Sequence, residues 1–127
     1  MRERMQIGEV AERTGLSLRT IRYYGEVGLV TPSSRTEGGF RLFTERDVER
    51  LELVKQMKPL DFTVEEMREV LSVLDRLAAA DLSDDERHEL LEALARVRTT
   101  ADERRTKLRA KVRAAESFVA RLDAAVS

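Results

Sequence analysis

After Pro59 the sequence holds no further Pro and no Gly, and nothing else in it constrains the fold as strongly. From residue 84 to about 125 no residue breaks a helix. Some 40 residues at ~1.5 Å rise make a rod of ~60 Å. Its apolar residues are Leu90, Leu94, Val97 and Ala101, then, after a gap at Arg105, Leu108, Val112, Ala115, Val119 and Leu122. Steps of three and four alternate, with one stutter near the middle, which is a heptad seam. A helix this long cannot bury its stripe on a domain of this size, so it needs a partner helix. The charges set the direction of pairing. Residues 81–96 carry six acids and two arginines, whereas 97–113 carry seven basic residues and two acids. A parallel pair sets like charge against like; an antiparallel pair sets each acidic half against a basic half. A helix dipole also favours acids at the start, but its effect fades within a turn. The expected arrangement is an antiparallel homodimeric coiled coil over 84–127.

Residues 7–43 hold the second pattern, IGEVAERTGLSLRTIRYYGEVGLVTPSSRTEGGFRLF. It predicts a helix over 6–13, a tight turn at Gly15 and a second helix over 18–27. Ala11 is small where two helices approach, and Gly15 offers the positive φ of a sharp turn. Ile7, Val10, Leu16, Ile21 and Tyr24 fall on the common buried face. Ser17 is a good N-cap. The second helix then presents Arg19, Thr20, Arg22 and Tyr23 outward, as a recognition helix does to phosphates and base edges. Helix-turn-helix spacing alone also fits a small helical core with an arginine-rich surface.

The segment that follows adds a basic wing. Strands near 34–36 and 40–42 flank Gly38-Gly39, with Arg35 before the tip and Arg41 after it. Thr44 opens a helix over 45–57, with Asp47 as a short capping-box partner, and Val48, Leu51, Val54 and Met57 form its buried stripe. Pro59 ends it. Thr63 and Glu66 form a capping box for a helix over 64–78, whose inward face is Met67, Val70, Leu71 and Leu74. Ser83 and Glu86 form another, after a hinge at 79–83.

The run IGEVA…TIRYYGEVGLV…RTEGGFRLFTERDVERL…MKPLDFTVEEMREVL resembles the DNA-binding domain of the mercury-resistance-regulator (MerR) family over residues 6–74. The resemblance implies a winged helix-turn-helix at 6–78 and the same antiparallel dimer. It also implies binding to an inverted-repeat promoter operator whose polymerase elements are spaced too widely, and distortion of that DNA so that RNA polymerase uses both. Ser17, Arg19, Thr20, Arg22 and Tyr23 would contact DNA, Arg35 and Arg41 would grip phosphates, and Lys55 and Lys58 resemble the family's second wing. Two departures stand out. Phe40 and Phe43 replace tyrosines usual in the wing, and Asp61 stands where the family turn has Gly.

Composition narrows the alternatives. Eleven Lys/Arg and nine Asp/Glu occupy residues 1–60, so any attraction for DNA comes from local placement rather than net charge. With no Cys there are no disulfides and no thiolate ligands. His88, the single histidine, lies among Glu86, Glu89 and Glu92 and reads as a surface residue. No metal site, cofactor, nucleophile–base pair or phosphate loop is evident, so an enzyme is not expected. Met5 offers an alternative start, which would make residues 1–4 dispensable, and residues 1–5 are expected to be an N-terminal tail. No apolar run marks a signal or a membrane span, so a cytoplasmic protein without a membrane partner is expected. An organic effector at the hinge is a candidate partner. A DNA-bending, excisionase-like accessory protein and a coiled-coil interaction module are the competing functions.

Overall fold

In a computed structural model, residues 4–127 are described. The chain forms two compact units, the first ending at Ser72 and the second running Val73–Ser127.

The first unit is a helix-turn-helix with a small sheet. Its helices are α1 (Ile7–Thr14), α2 (Leu18–Glu26) and α3 (Glu45–Met57), and it also holds the start of α4 (Val64–Leu77). Gly15 ends α1 in the left-handed conformation at φ 76°, and its N–H bonds the Ala11 carbonyl at 2.8 Å. This is the turn that the sequence predicts. Ser17 caps α2, accepting from the Thr20 N–H at 3.0 Å. Thr44 and Asp47 close a capping box on α3, and Val48, Leu51, Val54 and Met57 are buried as expected. After α3 a single 3-10 turn, Lys58–Leu60, takes Pro59 where no amide hydrogen is required.

The sheet has three strands rather than the two expected. These are β1 (Met5–Gln6), β2 (Ser34–Arg35) and β3 (Arg41–Phe43), in the order β1-β3-β2 and antiparallel throughout. Met5 lies opposite Phe43, and the two side chains are 1% and 0% exposed. This corrects the reading of residues 1–5 as a tail. Met5 is core, because β3 would otherwise present an unpaired edge beside α1. Residues 1–3 of that expected tail lie outside the described residues. Replacing Met5 with Ala is expected to cost about 2–5 kcal/mol of stability, seen as a lower urea midpoint at unchanged slope. A midpoint equal to wild type would return Met5 to the tail.

Side chains far apart in sequence hold these pieces together. Arg13 makes a bidentate pair with Glu45 at 2.6 and 2.9 Å, and this hydrogen bonding raises the Arg13 pKa above its ordinary value. Lys55 donates to the Thr14 carbonyl at the end of α1, and Arg68 to the Val27 carbonyl after α2. Buried Asp47 accepts from Ser33 at 2.7 Å and from the Thr44 N–H at 2.9 Å, so the entry to the wing is tied to the cap of α3.

The second unit comprises the end of α4 and α5 (Asp84–Val126), a 43-residue helix about 65 Å long. Ser83 caps α5 by accepting from the Glu86 N–H at 3.1 Å. The reciprocal half of the expected capping box is not made. The Glu86 carboxylate instead pairs with Arg76 at 2.8 and 2.9 Å, and Asp81 lies 3.6 Å from the same guanidinium. A guanidinium offers two parallel charge-assisted bonds, more than one backbone amide gives. The division between units at 72–73, earlier than the expected domain end at 78, agrees with this clamp between the last turn of α4 and the first of α5.

The seam splits into two kinds of surface. Leu90, Leu94, Val97 and Ala101 are half-buried within the chain. Leu108, Val112, Ala115, Val119 and Leu122 are exposed, as is Phe118 beside them. Among the described residues no helix is long and apolar enough to cross a membrane.

Candidate nucleic-acid interface

Helix α2 has one buried face and one free face. Ile21 and Tyr24 are buried. Burial raises the Tyr24 pKa above its ordinary value. Arg19, Arg22 and Tyr23 are exposed, and helical spacing of three and four places them side by side. Neither arginine has a hydrogen bond or ion pair among the described residues. Among the described residues, then, Arg22 makes no bond that would brace the wing. The two tyrosine rings stand 5.8 Å apart and tilted by 50°.

Ser17 and Thr20 belong first to the fold. The Ser17 hydroxyl donates to Thr20 Oγ1 at 2.9 Å while it caps the helix. Thr20, half-buried, keeps its own hydroxyl hydrogen to give.

In the wing, the tip is closed by the Gly39 N–H to Thr36 and the Thr36 N–H to Phe40, each at 2.9 Å. Gly39 takes φ 85°, a conformation that a side chain disfavours. Arg35 donates to the Gly39 carbonyl at 2.9 Å and so braces the tip. Arg41, half-buried, has no partner among the described residues. The two departures in the wing differ in weight. Phe40 is 63% exposed, so the hydroxyl missing there is missing from the surface; Phe43 is fully buried, so a hydroxyl there would face the core.

Beyond α2 the surface is concave. A groove of about 440 Å³ has Arg19, Thr20, Tyr23 and Lys58 among its lining, with Tyr24, Phe62 and Met67 and the start of α4 at Thr63. This brings Lys58 to the exposed face of α2. Lys55, expected beside it, is instead turned to the end of α1. Sequence reasoning missed Phe62 and Thr63 as neighbours of α2; the only signal was that Thr63 starts a helix.

Asp61 sits at the turn before α4 with φ 60°, the only non-glycine at positive φ among the described residues. The left-handed region costs most L-residues ~1–2 kcal/mol, and Asp is among the side chains that tolerate it. Asp61→Gly is therefore expected to stabilise by about 0.5–1 kcal/mol, and Asp61→Val to destabilise by at least as much. Thermal melts of both variants check this, and equal melting points would remove the strain argument.

Among the described residues no three His, Asp or Glu side chains converge as a metal site. His88 is exposed and lies 3.7 Å from Glu92.

A helix-turn-helix flanked by a three-stranded wing, with unpaired arginines on both, is the geometry on which comparison with known proteins bears. A profile described as "MerR HTH family regulatory protein" matches residues 5–74. The chain belongs to this family. It is 41% identical over 73 residues to a mercuric resistance operon regulatory protein of Bacillus cereus, a match covering 58% of this chain and 55% of the relative. It is 36% identical to the HTH-type transcriptional regulator YfmP of Bacillus subtilis, over 94% of this chain and 89% of that one. This chain thus spans about half the length of the first relative and most of the second. Among solved structures, a MerR-family transcriptional regulator from Bacillus cereus superposes with a TM-score of 0.65 at 25% identity, covering 94% of this chain and 78% of that one.

Proposed function

We propose that this protein is a sequence-specific DNA-binding transcription regulator that acts as a homodimer on an inverted-repeat promoter operator. The observation that carries the reading is the set of unpaired guanidiniums: exposed Arg19 and Arg22 on α2, with half-buried Arg41 on the adjacent wing. Cations that a fold leaves unpaired on one convex element and its wing suit the phosphates and base edges of a major groove. Family membership supports the same reading.

The dimer follows from α5. Its second half exposes Leu108, Val112, Val119 and Leu122, a stripe that no stable monomer gains by keeping in water. In an antiparallel pair the acidic start of one α5 faces the second half of the other rather than a second acidic start, and the two helix-turn-helix units lie apart as two half-sites require. Each unit reads one half-site, the pair deforms the DNA between them, and RNA polymerase uses the deformed promoter. A small bending protein that works through a winged domain alone has no use for a 43-residue helix, which disfavours the excisionase-like alternative.

The test is a mobility shift on a duplex selected from a random pool. An inverted repeat is expected, bound by two protomers, with log affinity falling linearly in log salt. Cysteines introduced at 88 and 118 are expected to crosslink between protomers in the antiparallel pair. Efficient crosslinking of 88 to 88 would show a parallel one, and no selectable duplex would end the DNA reading.

A further inference from the structure

The groove beside α2 has properties that a duplex backbone does not require. Its floor is apolar and aromatic: Tyr24, Phe62 and Met67 are 6%, 7% and 2% exposed. Its rim carries two cations, Arg19 and Lys58, whose side chains pair with no acid among the described residues. The acids at the start of α4 are engaged elsewhere. Glu66 accepts from the Thr63 N–H at 2.9 Å, and Glu65 pairs with Arg68 at 3.1 Å. The exposed ring of Tyr23 forms one wall. A volume of about 440 Å³ lies within the ~300–1,000 Å³ typical of small-molecule sites.

We infer that this groove binds a planar aromatic anion of one or two fused rings, with the rings on Phe62 and Met67 beside Tyr23 and the carboxylate or sulfonate between Arg19 and Lys58. An aromatic body matches the floor, and Tyr23 and Tyr24 supply ring edges and faces for offset contacts. A single negative charge satisfies two cations that the fold leaves open. A neutral or cationic ring system meets the same floor but leaves those cations unanswered. Because Arg19 belongs to the recognition helix, an occupied groove and a bound duplex compete. That regulatory consequence rests on the DNA-binding reading; occupancy of the groove does not.

The experiment uses the whole protein and 1-naphthoate, with neutral 1-naphthamide as its isostere. Amide resonances of Tyr23, Thr63 and Val64 are expected to move on adding naphthoate, with a dissociation constant of about 1 mM, as befits a fragment of this size. Naphthamide is expected to bind at least about tenfold more weakly, and the double variant Arg19→Ala, Lys58→Ala to lose about tenfold for naphthoate only. Both side chains are exposed, so the variant keeps the fold, which far-UV circular dichroism verifies. Equal affinity for the two probes, indifference to the double variant, or shifts confined to the apolar stripe of α5 would each overturn the inference. In a second arm naphthoate is added to the protein–duplex complex. Release of the duplex supports competition, and retention with the groove resonances still shifted overturns it. Failure to select any duplex, with the groove shifts intact, would sink the DNA-binding reading and leave the site standing.

Discussion

Replacing Leu108 and Leu122 together with Asp is expected to turn the protein from a dimer into a monomer. Both side chains are in water in the single chain, at 41% and 50% exposure, so the substitutions bury no charge within a protomer. The cost inside one helix is only its lower propensity, roughly 0.5 kcal/mol per site. In a paired seam the same carboxylates would lose water without gaining a partner, which costs far more than a seam contact returns. Sedimentation velocity at micromolar concentration reads the outcome as a fall from twice 14.5 kDa to 14.5 kDa. Affinity for an inverted repeat is expected to fall with it by about 10²–10⁴, because the second half-site no longer benefits from the linkage. A wild-type monomer, or a double variant that stays dimeric, would remove the seam from the interface.

The elements were legible wherever a local rule decides them. Gly15 announced a positive φ, Ser17, Thr44 and Thr63 announced helix starts, and the apolar period of α3 named its buried residues one by one. The absence of Pro and Gly after Pro59 set the length of α5. For the turn and the caps the deciding residues lie within about a turn of one another, so sequence order stands in for space.

What was not legible depends on contacts across long separations. Nothing near Met5 marks it as a strand, since its partner Phe43 comes 38 positions later. Lys55 looked like a free cation at the end of α3, yet it serves the Thr14 carbonyl, 41 residues away. Arg68 serves Val27 across the same separation. Glu86 reads from sequence as the capping-box partner of Ser83, yet the guanidinium of Arg76, ten residues earlier, takes its carboxylate. The interface divides in the same way. The outward set on α2 followed from its period, whereas the meeting of Lys58 and Phe62 with Arg19 followed from how α4 begins. Phe43 shows the converse: a departure from the family's wing pattern lies in the core.

Arg19→Ala and Arg22→Ala are each expected to weaken the selected operator by about 1–3 kcal/mol and to relax discrimination at the base pair that the lost side chain reads. Arg41→Ala should behave differently. A wing arginine that meets phosphate gives attraction without sequence information, so its loss should weaken all duplexes alike and flatten the salt slope by about one unit. Arg13→Ala serves as the contrast. Its guanidinium is held by Glu45 in the folded protein, so its removal should lower the melting point and leave the salt slope unchanged. Titrations of the four variants against operator and scrambled duplex, at several salt concentrations, separate these outcomes. Because Arg19, Arg22 and Arg41 have no internal partners among the described residues, a lost fold cannot stand in for a lost contact. If all three leave operator affinity unchanged in a folded dimer, α2 and the wing do not face the DNA.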